Sequence, residues 1–71
     1  MTRRKKISYN RIKAALAEGN LTNKQLADKL KVAPETVSRW CTNDTQPSIE
    51  TLYEIAKALD VNIKELLVPT K

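Results

Sequence analysis

Between Leu21 and Trp40 the chain reads LTNKQLADKLKVAPETVSRW, and this stretch leaves few ways to fold. Leu26, Ala27 and Leu30 fall on one face of a helix; Val37, Trp40 and Cys41 fall on one face of another. Lys31 and Val32 between them suffice only for a tight turn, and Ala33 is a weak cap for the second of these helices. Pro34 suits the first position of a helix, where its missing N–H costs nothing. Thr22, with Gln25 three residues on, has the capping-box pattern that opens a helix by satisfying two backbone donors reciprocally. Two short helices so joined, with small Ala27 at their crossing, pack at a steep angle, each turning one face inward.

The flanking sequence is also helical in period. One Gly, no Phe and an abundance of Leu, Ala, Lys and Glu favour helix over sheet, and no stretch alternates at period two long enough for a strand. Helix one is expected to open near Ser8 or Tyr9, with Ser8 as N-cap and Ile7 and Ile12 as a hydrophobic staple. Ile12, Ala15 and Leu16 make its inner face, and Gly19 is expected to end it in the left-handed conformation. The turn-rich TNDTQP of residues 42–47 follows helix three, with Asn43 the best candidate for a left-handed residue. Ser48 caps helix four, whose apolar period runs through Ile49, Leu52, Ile55, Ala56 and Leu59 before Asp60 and Val61 break it. Asn62 and Glu65 form a second capping-box pattern, opening a short helix five through Leu66 and Leu67 that Pro69 ends. The expected architecture is all-α, a compact five-helix domain over residues 8–68, with a flexible basic arm at 1–7 and a short tail at 69–71.

Size and charge narrow the function. A chain of 71 residues buries only about 60% of its unfolded surface, too little core for a deep catalytic cleft. There is no His, a single Cys, no Gly-rich loop and no nucleophile beside a base, so an enzyme, a metal site and a cofactor are not expected. No small-molecule ligand is expected either, since the size leaves no room for a sensing domain. The lone Cys41 excludes an internal disulfide and fits a reducing compartment. No apolar run approaches the roughly 20 residues of a membrane span, and the basic N-terminus lacks the apolar segment of a secretory signal, so the expected location is cytoplasmic. The net charge of +5 is uneven. Residues 1–40 carry ten Lys/Arg against three Asp/Glu, a net of +7; residues 41–71 carry three against five, a net of −2. One face is thus suited to a polyanion. The plain alternative is a basic tail that only aids solubility.

The ordered set Leu21–Thr22, Leu26–Ala27, Leu30, Val32, Val37–Ser38–Arg39–Trp40, Pro47–Ser48, Glu50–Thr51–Leu52, Ile55–Ala56–Lys57–Ala58–Leu59 and Glu65–Leu66–Leu67 resembles the XRE family, the helix-turn-helix class of phage repressors and Cro proteins. The likeness spans about residues 9 to 67. It implies a lambda-repressor-like domain, with helices two and three as the helix-turn-helix, that binds operator DNA, usually as a dimer. The chain departs from the family pattern in three places. Asn23 stands where the family commonly has a Gln that contacts phosphate, and Lys31 and Asn43 stand where it commonly has Gly. A non-Gly residue held left-handed at Lys31 costs roughly 1 kcal/mol.

With Val37 inward, a rotation of about 100° per residue puts Glu35 and Arg39 nearly opposite it, with Thr42 beside them. Arg39 has the geometry to pair bidentately with guanine, Glu35 to accept from cytosine N4, and Thr36 to bond a base edge or touch a thymine methyl. The family reads bases from the first turn of this helix and from a residue one turn later; by position these are Pro34, Glu35, Thr36 and Arg39, Pro34 offering only apolar contact. The competing assignment is that Glu35 and Arg39, spaced i, i+4, pair with each other. Phosphate contacts are expected from Thr22, Asn23 and Lys24 at the N-terminus of helix two, where free N–H groups and the helix dipole favour anions. Lys31, Thr42, Asn43, Thr45 and Arg11 complete the expected backbone contacts. Arg3, Arg4, Lys5 and Lys6 form an arm for the minor groove or backbone. Trp40 and Cys41 are read as core, with the Trp40 indole N–H within reach of a loop carbonyl.

The function expected is a sequence-specific regulator of transcription on double-stranded DNA, reading the major groove with residues 34–42 and forming a weak homodimer there. Leu66, Leu67, Val68 and Tyr53 are the candidate dimer contacts. The alternative is an antitoxin or other protein-interaction module on the same fold.

Overall fold

The computed structural model of the protein describes residues 8–69, in which four α-helices and one 3₁₀ turn enclose a single core. The helices are α1 (Ile12–Glu18), α2 (Asn23–Leu30), α3 (Pro34–Cys41) and α4 (Ile49–Leu59); the 3₁₀ turn is Ile63–Leu66. The core combines Ile12, Ala15 and Leu16 of α1, Leu26 and Ala27 of α2, Val37 and Trp40 of α3, Leu52, Ile55 and Ala56 of α4, and Leu66. Each apolar period read from the sequence contributes to it, because a helix with one apolar stripe is stable in water only when that stripe is covered; Ile49, read as part of the period of α4, is the exception and stands 72% exposed in its first turn.

The caps of α2, α3 and α4 form as their residue types dictate. The Gln25 amide N–H donates to Thr22 Oγ1 (3.1 Å) and the Thr22 N–H to Gln25 Oε1 (2.9 Å), closing the capping box. Pro34 occupies the first turn of α3 without a side-chain cap before it. Ser48 Oγ accepts from the Thr51 N–H at 3.1 Å. Lys31 and Asn43 take the left-handed conformation, with φ of 60° and 62°. Asp60 does the same after α4, at φ 58°.

Both ends of the fold differ from expectation. Helix one begins at Ile12, not near Ser8, and Arg11 precedes it with no side-chain cap. Tyr9, Asn10 and Arg11 lie outside the helix instead, with Asn10 in an isolated antiparallel bridge to Leu67. The Arg11 N–H donates to the Leu66 carbonyl (2.9 Å) and the Val68 N–H to the Tyr9 carbonyl (3.1 Å), so this segment pairs antiparallel with residues 66–68. Those long-range bonds displace the first helical turn that Ser8 would have capped. The Ile7 staple lies outside the described residues. Gly19 has φ −91°, and Asn20, at φ 58°, takes the left-handed place one residue later. The helix persists through a Gly19 N–H bond to Ala15 O (3.0 Å), and the residue beyond it must make the reversal.

The fifth α-helix is not formed: Ile63–Leu66 is a single 3₁₀ turn. Asn62 Oδ1 accepts from the Lys64 N–H (3.2 Å) rather than from Glu65, so the capping box there is absent. Leu67 is already extended and engaged in the pairing with Asn10, which leaves too few residues for an α-helical turn. Leu66 is fully buried and is core, not a surface available to a partner.

Asn10 is the buried polar residue among the core positions, at 4% exposure. Its Nδ2 donates to the Trp40 carbonyl (3.0 Å) and to Gln46 Oε1 (2.7 Å), while its Oδ1 accepts from the Ile12 N–H (3.0 Å). Asn10 thus satisfies, from outside the helix, the first free N–H of α1.

Two stability measurements check this arrangement. Asn10→Ala strands these partners, each buried polar group left unsatisfied costing about 1–3 kcal/mol. Thermal unfolding should show a Tm lowered by about 10 °C or more; an unchanged Tm would contradict the network. Lys31→Gly removes the side chain from a left-handed position and should raise stability in urea by about 1 kcal/mol.

Candidate nucleic-acid interface

Burial of Val37 and Trp40 fixes the rotation of α3, and with it the residues that face solvent. Pro34, Glu35, Ser38, Arg39 and Thr42 are exposed, and Thr36 is half-buried. The four positions expected to face bases are thus gathered over the first turn and a half of one helix. Ser38 is a fifth solvent-facing residue of the same helix that the wheel passed over, because at about 100° from Val37 it sits midway between inside and outside.

Glu35 and Arg39 do not satisfy each other. Among the described residues no ion pair joins them, whereas Arg11 Nη2 and Glu18 Oε2 meet at 3.2 Å.

The N-terminus of α2 lies against the end of α3. Asn23 is exposed, and its Oδ1 accepts from the Cys41 thiol at 3.6 Å. Thr22 and Lys24 are exposed beside it, as is Lys31 in the turn. Thr22 Oγ1 is engaged by the capping box.

Three expected phosphate contacts turn out to be committed within the fold. The Asn43 side chain is a hub: Oδ1 accepts from the Tyr9 N–H (2.8 Å), the Asn10 N–H (3.1 Å) and Gln46 Nε2 (3.2 Å), and Nδ2 donates to the Asn10 carbonyl (3.2 Å). Arg11 sends Nη1 to the Glu65 carbonyl (2.9 Å) besides its pair with Glu18. The Thr42 hydroxyl lies 2.9 Å from Asp44 Oδ2 and 3.2 Å from the Arg39 carbonyl. For Asn43 and Arg11 the physical reason is remote backbone groups that need partners; Thr42 bonds only its own turn at the end of α3. Thr45 is exposed, with its N–H on the Arg39 carbonyl at 3.4 Å. Arg3, Arg4, Lys5 and Lys6 lie outside the described residues.

Trp40 is core, as expected, but its indole N–H makes no hydrogen bond among the described residues; the Trp40 carbonyl is the bonded group. Tyr53, Leu67 and Val68 are exposed, with Lys57 Nζ 5.6 Å from the Tyr53 ring centre. Sequence reasoning missed Asn10 altogether, and it read Gln46, with Thr45, only as a loop residue able to reach the DNA backbone, whereas its side chain bonds Asn10 and Asn43. The only available signal was an Asn two residues before an apolar stripe, which on its own reads as an ordinary turn residue.

Comparison with known proteins bears on what such a face does. The helix-turn-helix family model matches residues 12–66. A transcriptional activator of helix-turn-helix type from Enterococcus faecalis, BcrR, is 42% identical over 48 residues, which are 68% of this chain and 24% of that protein. The chain therefore spans about a quarter of the length of this curated relative. A crystal structure of a candidate DNA-binding protein from Bacteroides fragilis superposes with a TM-score of 0.84 at 42% identity, covering 84% of this chain and 97% of that one. A transcriptional regulator from Listeria innocua superposes with a TM-score of 0.69 at 28% identity, covering 89% of this chain and 63% of that one. No described helix is long and apolar enough to cross a membrane.

Cys41 reports on the contact between α2 and α3. Burial pushes its thiol above the ordinary value of 9.0, against a smaller lowering by Lys13. A raised folded-state pKa means that this thiol's contribution is fully present below the unfolded pKa and is lost as pH rises through the folded one. Wild type should therefore lose more stability than Cys41→Ala as pH rises through and above the ordinary thiol range, read by urea unfolding of both; parallel losses would show the thiol unperturbed.

Proposed function

Because the chain belongs to the XRE-type helix-turn-helix family of DNA-binding transcriptional regulators, we propose that it is a sequence-specific regulator that sets α3 into the major groove of a double-stranded operator. The observation that carries this reading is the outer face of α3. Arg39 and Glu35 project from it, exposed and not joined to each other, on a helix whose inner face is fixed by Val37 and Trp40. Arg39 pairs with guanine O6 and N7, Glu35 accepts from cytosine N4 or orients Arg39, Thr36 contacts a base edge or a thymine methyl, and Pro34 gives apolar contact.

Thr22, Asn23 and Lys24 hold a phosphate at the N-terminus of α2, where the Asn23 amide N–H₂ and the helix dipole act together. Lys31 and Thr45 hold the backbone on either side, and the arm Arg3–Lys6 supplies further charge. Arg11, Thr42 and Asn43 serve the fold first, through their bonds to Glu65, Asp44 and the Tyr9–Asn10 backbone. Two half-sites read by a weak homodimer multiply the few base contacts of one copy, with Tyr53, Leu67 and Val68 as contact candidates. A DNA partner and a lone thiol fit a cytoplasmic location. The antitoxin alternative gains no support from these relatives.

Selection of bound fragments from a random duplex pool, at fixed salt, should enrich one motif with a guanine at the position Arg39 reads; recovery of no motif would overturn the reading. On that motif Arg39→Ala should cost about 1–3 kcal/mol of specific binding and little of non-specific binding. Equal losses on both would reassign Arg39 to the backbone.

A further inference from the structure

Helix α4 is the described helix that leaves large apolar side chains in water. Ile49 is 72% exposed and Tyr53 57%, while Leu52, Ile55 and Ala56 on its inner side are buried. Ile49, Tyr53 and Lys57 are spaced i, i+4, i+8 and so form one row along the helix, with Glu50 and Glu54 in the row beside it. The first row leads into a shallow groove of about 270 Å³ lined by Tyr53, Ala56, Lys57, Val61, Asn62 and Ile63. The inner side of α4 packs on α2 and on the 3₁₀ turn, and no described element covers the outer side.

The charges on this face are sorted by sign. Glu50 and Glu54 lie toward its N-terminal end and Lys57 toward its C-terminal end. Glu50 and Lys57 are two turns apart, about 10 Å along the axis, too far to meet within one helix. Among the described residues no ion pair joins Lys57 to either glutamate; its Nζ lies instead 5.6 Å from the Tyr53 ring centre. The two glutamates repel a polyanion, and any partner of a single sign meets a like charge at one end of the face. A second copy related by a two-fold axis meets no such conflict. Reversing the helix direction sets the acidic end of each copy on the basic end of the other.

We propose that the outer face of α4 is the surface through which two copies of this chain associate, α4 against α4, antiparallel about a two-fold axis between Tyr53 and Glu54. That axis sets Glu50 of each copy opposite Lys57 of the other and carries Ile49 of each copy toward the groove of the other. The proposal rests on the homodimer proposed above and names its surface, α4 and its groove rather than Leu67 and Val68. The 11 residues of α4 make a helix only about 16 Å long. A contact of that length falls short of the roughly 1,200 Å² of a stable interface, so the pairing is weak in solution.

Sedimentation equilibrium of the free protein at low ionic strength reads the pairing without DNA. The wild type should show a reversible monomer–dimer equilibrium with a dissociation constant below about 1 mM. Glu50→Lys and Lys57→Glu each turn two reciprocal attractions into two repulsions, and each should raise that constant at least about 10-fold. The double variant Glu50→Lys/Lys57→Glu restores opposite charges across the axis and should return it to within about threefold of the wild type. Both positions are exposed, and thermal melting of dilute samples checks that each variant is folded.

A wild type still monomeric at about 1 mM overturns the proposal. So does a dimer that both single reversals leave intact, or a double variant as weak as the singles; in these two cases the homodimer stands with its contact elsewhere. Failure of the chain to select any operator leaves this result untouched, because no duplex enters the measurement.

Discussion

The interface depends on the burial of Val37 and Trp40. An α-helix turns by about 100° per residue, so fixing which side chains point in also fixes which point out. Ala27, fully buried on α2, allows close approach because it carries a single methyl group, and the left-handed Lys31 reverses the chain within one residue. The outward aim of Glu35 and Arg39 is a consequence of these apolar contacts. Neither charged residue contributes to its own placement through a bond to the other.

A second constraint acts at the open end of the domain. A small core leaves the first turn of α1 and the last residues of the chain with backbone groups that must find partners. The fold answers with a short antiparallel pairing and a cluster of three amides. Amides suit this place because each offers donors and acceptors together and carries no charge to desolvate. The arrangement draws Asn43 and Arg11 into structural work, while the outer face of α3 and the start of α2 stay exposed.

The difference between what could and could not be read along the chain lies in sequence separation. Thr22 and Gln25 find each other three residues apart, Ser48 caps the N–H of Thr51, and Pro34 needs nothing beyond its own ring. The inner faces of α2, α3 and α4 are periodic and equally plain. The Asn10 Nδ2 has its partners 30 and 36 residues away, and nothing in its neighbourhood along the chain marks it as buried. The same distance explains the late start of α1 and the reduction of the last helix to a 3₁₀ turn. Bonds between residues 9–11 and 66–68 override local signals at Ser8 and Asn62 that would have sufficed in isolation.

The sequence by itself determined the helical class, the helix-turn-helix between Leu21 and Trp40, and the outward face of α3, because each depends on spacings of three or four residues. It also marked Lys31 and Asn43 as the places where the chain reverses. Only the tertiary structure decided that Asn43 and Arg11 bind the fold to itself, that Leu66 is core, and that Glu35 and Arg39 stay apart. Those outcomes turn on which remote backbone groups converge in space, and on whether a local pair forms when its alternatives are equally solvated. Neither is encoded in the order of neighbouring residues.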